Sequence, residues 1–223
     1  MNETASILPR RTLQVTGTAS VTVKPDVSYM SFVIETEHKN VAKAYRENKK
    51  ASDQVFTKLK ALGVEERDLK TTYFYIMPFY KMVDNSARQV IDAYRILHYT
   101  LVTARDLARI SDILDAAVDA GATGLSSISF TVENPKKYTE EARREAIRAA
   151  MKKAQETADI MGFKLGTPVS VTESEPGYRQ AAPYPQASMA MERAAPQAQG
   201  PQLEPGEMNL ARTVYVTYEI EPK

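Results

Sequence analysis

The sequence predicts an α+β fold, in which a mixed, largely antiparallel sheet carries three packed helices in the element order ββαββαβαββ. Several segments alternate apolar and polar residues with a period of two, and others repeat apolar residues at helical spacing. Each predicted helix also ends at a glycine. With 223 residues, the chain can bury roughly 70% of its unfolded surface.

Two strands are predicted first, on either side of Lys24-Pro25-Asp26. In the first strand one face is apolar or small and alternates with polar residues: Leu13, Val15, Gly17, Ala19, Val21 and Val23. Proline presets φ and aspartate bonds the nearby backbone, so we expect a turn at 24–26. The second strand is predicted over 27–37.

The first helix is predicted to begin after Asn40, because asparagine is a favoured N-cap. It ends at Gly63, since glycine adopts the left-handed conformation without steric cost. Apolar spacing predicts its inward side: Val41, Ala44, Tyr45, Ala51, Val55, Leu59 and Leu62.

An antiparallel hairpin is predicted next, from strands over 69–82 and 90–103 that are rich in Tyr, Thr, Val and Ile. Asp84-Asn85-Ser86 supplies the turn between them. Pro78 cannot donate a hydrogen bond to a ladder, so the first of these strands is expected at a sheet edge or with a bulge.

A second helix is predicted over 106–120 and ends at Gly121. Its inward residues are expected to be Leu107, Ile110, Ile113, Leu114, Ala117 and Val118. A strand over 125–132 follows, and Asn134-Pro135 then begins the third helix, because proline is favoured in a first helical turn.

The third helix is predicted to run to Met161 and to end at Gly162. Alanine recurs along it every four residues: Ala142, Ala146, Ala150, Ala154 and Ala158. Small residues on a buried stripe let a helix lie close to a sheet, so core packing is predicted here. Strands over 165–173 and 213–220 complete the fold.

The sequence predicts a flexible leader over 1–10 and a single domain over 11–221. Within that domain, the insertion at 176–208 is mostly Ala, Pro, Gln, Gly and Met. Such a composition buries too little apolar surface to offset its ordering entropy. We therefore expect either disorder in the isolated subunit or a contact arm that uses Tyr178, Tyr184, Met189 and Met191.

Composition argues against several classes of function. The 29 basic and 28 acidic residues nearly cancel, whereas a nucleic-acid-binding protein usually carries a concentrated basic excess. The chain has no cysteine and only two histidines, His38 and His98, so no common zinc ligand set is expected. No glycine-rich loop follows a predicted strand and opens a helix, so no cofactor is expected either. No apolar run approaches the roughly 20 residues of a membrane-spanning helix.

The sequence offers only weak signals for catalytic groups. Asp112, Asp115 and Asp119 share one helix side, which is more typical of a solvated acidic stripe than of a cation site. Gly124-Leu125-Ser126-Ser127-Ile128 lacks the second glycine of a nucleophile elbow and begins a strand instead of ending one. We therefore expect no enzymatic activity, and Ser126 or a carboxylate pair stays only as a cryptic-hydrolase alternative.

The densest aromatic cluster of the chain spans 73–80 and offers a candidate interface through Tyr73, Tyr75, Phe79 and Tyr80. Large amphipathic side chains are enriched at protein interfaces, so this strand could serve self-association. Ordinary packing within the sheet is the interpretation that the sequence favours, and the interface is the alternative.

The chain also resembles the SIMPL-domain family, which includes YggE-like and periplasmic immunogenic proteins of bacteria. The matching residues, in order, are Gly17, Val21 to Asp26, Leu62-Gly63-Val64, Asp68 to Thr72, Pro78-Phe79-Tyr80, Tyr94, Leu101-Val102-Thr103, Asp119 to Ala122, Ile128-Ser129-Phe130, the alanine ladder from Ala142 to Ala158, and Gly162 to Gly166.

This resemblance implies an envelope protein without a recognised catalytic set, with suggested roles in oxidative-stress defence and homo-oligomer assembly. No signal peptide is visible at the start, so we expect either a periplasmic protein whose signal has been removed or a cytoplasmic protein if the chain is native at full length. We expect a non-enzymatic homo-oligomeric scaffold. The alternative is a monomeric module that binds an envelope protein or a small ligand through 176–208.

Overall fold

The structure, a computed structural model, describes residues 11–82, 89–174 and 203–222. Several predictions lie outside these residues: the leader 1–10, the turn at 84–86, most of the insertion, and the candidate interface residues Tyr178, Tyr184, Met189 and Met191.

The described elements follow the predicted order, and the α+β class is confirmed. Their bounds are β1 Thr12–Val23, β2 Val27–His38, α1 Val41–Ala61, β3 Leu69–Met82, β4 Gln89–Ala104, α2 Ile110–Asp119, β5 Gly124–Thr131, α3 Lys136–Met161, β6 Phe163–Ser174 and β7 Met208–Pro222. Short 3-10 turns at Glu66–Asp68 and Leu107–Arg109 precede β3 and α2.

The strands divide between two sheets, where the sequence predicts one, and every described pairing is antiparallel. The chain correspondingly forms two compact units. One comprises described residues 11–24, 134–174 and 207–222, and the other comprises 25–82, 89–133 and 203–206. The expected turn after Lys24 is thus the first boundary between units. That the whole of 11–221 acts as a single domain stays a prediction.

The first unit is a sheet in the order β1-β7-β6 with α3 packed on it. The predicted alternation of β1 is confirmed, because Val15, Gly17 and Val23 are buried while Gln14 and Thr18 are exposed. The predicted alanine stripe of α3 is also fully buried, and its central Ala146, Ala150 and Ala154 form a cluster with four residues of the sheet: Val15, Val214, Val216 and Tyr218.

The second unit is a sheet in the order β3-β4-β2-β5, and α1 and α2 cover one face of it. Met30, Phe32 and Ile34 of β2 are buried against the helices, together with Val55 and Leu59 of α1 and Ile113 of α2. Asn40 caps α1 as predicted, since its side chain accepts a hydrogen bond from the Lys43 amide. Gly63 and Gly121 follow the two helices with positive φ.

Three residues predicted to point inward are exposed. Val41 lies in the first turn of α1, and Tyr45 packs its ring edge-on against Phe74 of the exposed strand β3. Val118 follows buried Ala117 and is therefore turned about 100° away from the inward stripe of α2. The sequence also missed Asn48 and Ser52, two polar residues on the buried stripe of α1.

Candidate interaction surface

Strand β3 is one of the two described edge strands of its sheet, and it is exposed along nearly its whole length. The edge position expected from Pro78 is therefore confirmed. The exposed side chains include the predicted interface residues, at 60% exposure for Tyr73, 48% for Tyr75 and 56% for Tyr80. Phe79 is also exposed, so all four predicted interface residues of this strand are accessible in the second unit.

The register of β3 against β4 decides which side chains share a face. Tyr73 lies opposite Tyr99, Tyr75 opposite Leu97, and Met77 opposite Arg95. The residues of β4 that alternate with these, such as Ile96 and Thr100, are buried on the side of the sheet that the helices cover. The side away from the helices therefore carries the aromatic face, which we define by Tyr73, Tyr75, Met77, Phe79, Leu97 and Tyr99.

Two bulges bound this row. The pairing shifts between Thr71 and Tyr73, and again between Phe79 and Tyr80. A bulge inserts one extra residue and bends the strand locally. The stretch from Tyr73 to Phe79 between the bulges keeps a regular register, so its alternate side chains stand in one continuous row.

The rings of the aromatic face are packed against each other. Tyr73 and Tyr75 stack with ring centroids 6.0 Å apart at 14°, and Tyr73 meets Tyr99 edge-on at 6.2 Å. The Arg95 guanidinium carbon lies 4.0 Å from the Phe79 ring centroid, a cation–π geometry. These contacts fix the rings in place while leaving much of their surface in water.

Ion pairs rim the aromatic face without covering it. Arg95 binds Glu35 at 2.8 Å and Glu37 at 3.0 Å, and Lys81 binds Asp92 at 2.7 Å. Lys81 lowers the pKa of Asp92 through this hydrogen bond. These charged side chains are thus paired with one another, and the apolar side chains of the aromatic face remain accessible.

An open groove of about 420 Å³ lies on this face and is lined by Ser31, Tyr73, Tyr75, Tyr99 and Ser126, among others. Ser126, the candidate nucleophile, therefore stands on the aromatic face. His98 stands on the opposite face of the sheet, where it hydrogen-bonds Ser52 of α1. The structure does not bring this serine and this histidine together.

A charged cluster that the sequence did not predict holds the end of β4. Arg105 binds the buried carboxylate of Asp68 and, at 2.6 Å, Glu133. Asp26 accepts a 2.7 Å hydrogen bond from the Glu133 amide. Arg105 lowers the pKa of Glu133 by hydrogen bonding. Asp26 and Asp68 both belong to segments that carry the family resemblance, and in the structure they anchor the end of β4 and the residues beside it.

No cluster of histidine and acidic side chains suited to a metal ion occurs in residues 11–82, 89–174 and 203–222. Asp112, Asp115 and Asp119 are exposed on α2, and Arg109 lies 3.6 Å from Asp112. Within the same ranges, none of the helices combines the length and the apolar character needed to cross a bilayer.

Known proteins resemble this chain over most of its length. Residues 13–218 match the SIMPL family model, described as a protein of unknown function (DUF541). The chain is 30% identical over 215 residues to the 26 kDa periplasmic immunogenic protein of Brucella melitensis, covering 94% of this chain and 84% of that protein. It is 28% identical over 206 residues to the uncharacterized protein YggE of Escherichia coli K12, covering 92% and 82%. This chain belongs to the SIMPL family.

Proposed function

We propose that this chain is a non-enzymatic protein of the bacterial periplasm that works as a homo-oligomeric scaffold, with the aromatic face and the edge of β3 as its contact. One observation carries the proposal: a row of large aromatic side chains is exposed on an edge strand. Contiguous exposed apolar patches commonly mark interaction sites. Tyrosine, phenylalanine and methionine are also the residue types enriched at interfaces.

A second copy of the chain fits the geometry of this edge. Natural edge strands are usually protected by lysine, proline or bulges. Here those devices stand toward the ends of β3, at the bulge near Thr71 and at Pro78 and Lys81. The segment from Tyr73 to Met77 between them is regular and exposed. Two such segments could pair antiparallel about a two-fold axis, which is the commonest symmetry of homo-oligomers.

The periplasmic part of the proposal is supported by the Brucella relative, whose name places that protein in the periplasm. The link to oxidative-stress defence rests on the family resemblance. It predicts that a strain lacking the gene survives peroxide less well than its parent, and that the same gene supplied in trans restores survival. Equal survival of the two strains would remove this part of the proposal.

Self-association is tested by light-scattering mass across micromolar concentrations, with Tyr75→Lys as the disrupting variant. A lysine at the centre of the row places a charge against the partner's aromatic side chains. Aromatic residues at interface centres often contribute at least about 2 kcal/mol, so the dissociation constant should rise about thirtyfold. The matched control is Val171→Lys, which adds the same charge at an exposed position on β6, an edge strand of the other sheet.

The measured mass decides between this proposal and its alternative. A multiple of the subunit mass that Tyr75→Lys reduces and Val171→Lys leaves unchanged supports the scaffold. A single-subunit mass at every concentration favours a monomeric binding module, and pull-down from envelope extract with and without residues 176–208 would then identify its partner. Turnover of any generic ester or glycoside substrate would overturn the non-enzymatic part.

A further inference from the structure

His98 connects three elements of the second unit. It stands on β4, its Nδ1 lies 2.7 Å from the Ser52 hydroxyl of α1, and its Nε2 lies 2.8 Å from the Thr71 hydroxyl of β3. The residue is only 8% exposed. The bulge at Thr72 brings Thr71 and Phe74, three positions apart in sequence, to the same side of the sheet as His98.

The hydrogen bonds fix the form of the imidazole. Ser52 donates its hydroxyl hydrogen to the Asn48 carbonyl at 2.8 Å, because a carbonyl oxygen can only accept. The Nδ1 of His98 therefore donates to Ser52, and in the neutral ring Nε2 is left to accept from the Thr71 hydroxyl. This neutral tautomer satisfies both ring nitrogens and both hydroxyls.

The surroundings of the ring penalise a positive charge. The rings of Phe56 and Phe74 meet it edge-on with centroids 6.2 and 5.4 Å away, and Ile34 lies opposite it on β2. Together with Ser52, Thr71 and the neighbouring Asn48 of α1, these side chains carry no ionisable group. Burial lowers the pKa of His98, and no charge within the described ranges contributes to that shift.

The two sides of the ring differ in how readily water can enter. On the α1 side, Asn48 and Ser52 are buried. On the β3 side, Thr71 and Phe74 are exposed. A charged imidazolium donates from both nitrogens, so the Thr71 hydroxyl can no longer donate to Nε2. Water enters on the exposed β3 side and stabilises the charge, so it displaces the Thr71 contact and leaves the buried Ser52 contact in place.

We propose that Ser52, His98 and Thr71 form an acid-sensitive latch, which holds the first residues of β3 against β4 and α1 while His98 is neutral and releases them when it is protonated. The latch is a property of the second unit and does not require self-association. Because β3 carries the aromatic face, the latch would also make assembly pH-dependent, and that consequence alone rests on the proposed function.

The test is hydrogen exchange of the full chain followed from pH 7.5 to pH 5, corrected for the intrinsic pH dependence of exchange. In the native chain, protection of the paired amides in 71–77 should fall below pH 6.5, by at most tenfold per pH unit for one titrating group. His98→Gln keeps a donor and an acceptor but does not titrate, so its protection should stay flat. His38→Gln is the matched control and should respond like the native chain.

An acid response that persists in His98→Gln, or that affects β5 and α2 as strongly as β3, would overturn the latch. If His98→Gln fails to fold, the His98 ring proton titration in the native chain decides instead: a midpoint at or above 6.5 contradicts the latch, and a lower one supports it. Native mass recorded at each pH separates the two proposals. A constant mass with acid-sensitive exchange keeps the latch and removes only its consequence for assembly.

Discussion

Gly17 on β1 has no room for a side chain, because α3 crosses it closely. A Cβ atom built there would lie 2.0 Å from the Ala146 carbonyl oxygen and 2.5 Å from the Ala150 amide nitrogen. Both are backbone atoms, so the clash cannot be relieved by a side-chain rotation. The alternation of β1 predicted a small inward residue at this position, and the structure supplies the reason for its size.

We therefore expect Gly17→Ala to lower the free energy of unfolding by at least about 2 kcal/mol, because overpacking against backbone forces the helix and strand apart. The midpoint of urea denaturation measures this loss of stability. Gly124→Ala is the control, since a Cβ atom at Gly124 meets no atom within 4 Å. The control should stay within about 0.5 kcal/mol of the native chain. Equal midpoints for the two variants would contradict the close approach.

Acid should weaken the cluster around Arg105 through Glu133. Arg105 holds the pKa of Glu133 below its ordinary value of 4.5. A carboxylate whose pKa is lower in the folded state stabilises the fold above the unfolded value, and this contribution is lost as pH falls through the folded value. A carbon NMR titration of Glu133 should therefore show a midpoint below 4.5 that Arg105→Met raises. Arg95→Met, at a separate ion pair, should leave it unchanged, and a midpoint unaffected by Arg105→Met would contradict the assignment.

At the scale of elements, α1 and α3 bury different kinds of side chain against their sheets. Helix α3 buries a stripe of alanines and so lies close to its sheet. Helix α1 buries Asn48 and Ser52 among apolar residues, because these side chains bond the Ile34 carbonyl and His98. The alanine pattern therefore found the buried side of α3 except for Thr139, and apolar periodicity found that of α1 only in part.

The alanine stripe makes α3 intolerant of larger side chains. Ala150→Leu should lower the free energy of unfolding by about 1–3 kcal/mol, because Ala150 is fully buried beside Gly17. Chemical denaturation followed by circular dichroism measures the effect. Met151→Leu provides the control on the adjacent, exposed position and should change stability by less than about 0.5 kcal/mol. An Ala150→Leu variant as stable as this control would show that the helix can move away.

At the scale of the whole molecule, the near balance of 29 basic and 28 acidic residues leaves little long-range electrostatic force between copies. If assembly uses the aromatic face, its mass should persist when ionic strength rises from about 0.1 M to 1 M, although the Debye length shrinks from about 10 Å to 3 Å. Light scattering at the two salt concentrations checks this. A mass that falls to one subunit in high salt would indicate an ionic contact instead, with the native chain in low salt as the reference.

The local sequence was sufficient for the element order, the N-cap of α1, the glycines that follow the helices and the edge position of β3. It was not sufficient for the starts of the other two helices, since α2 begins at Ile110 instead of 106 and Pro135 is the N-cap of α3 instead of a residue of its first turn. Asn40, Pro78 and the glycines after each helix act within a few residues of themselves, so composition and spacing reveal them. The exposed aromatic strand was also predicted. The division of its residues between two faces was not, because the bulge at Thr72 reverses the alternation and depends on pairing with β4.

By itself, the sequence determined that this chain forms α+β layers with alternating strands, glycine-terminated helices and an aromatic edge, because each of these follows from local sterics and periodicity. Only the tertiary structure decided that β1 pairs with β7 and that the strands fall into two sheets. The same is true of the contact between Ser52 and His98, 46 positions apart. Such contacts join distant segments, and their partners are selected by packing of the folded chain, which no local pattern encodes.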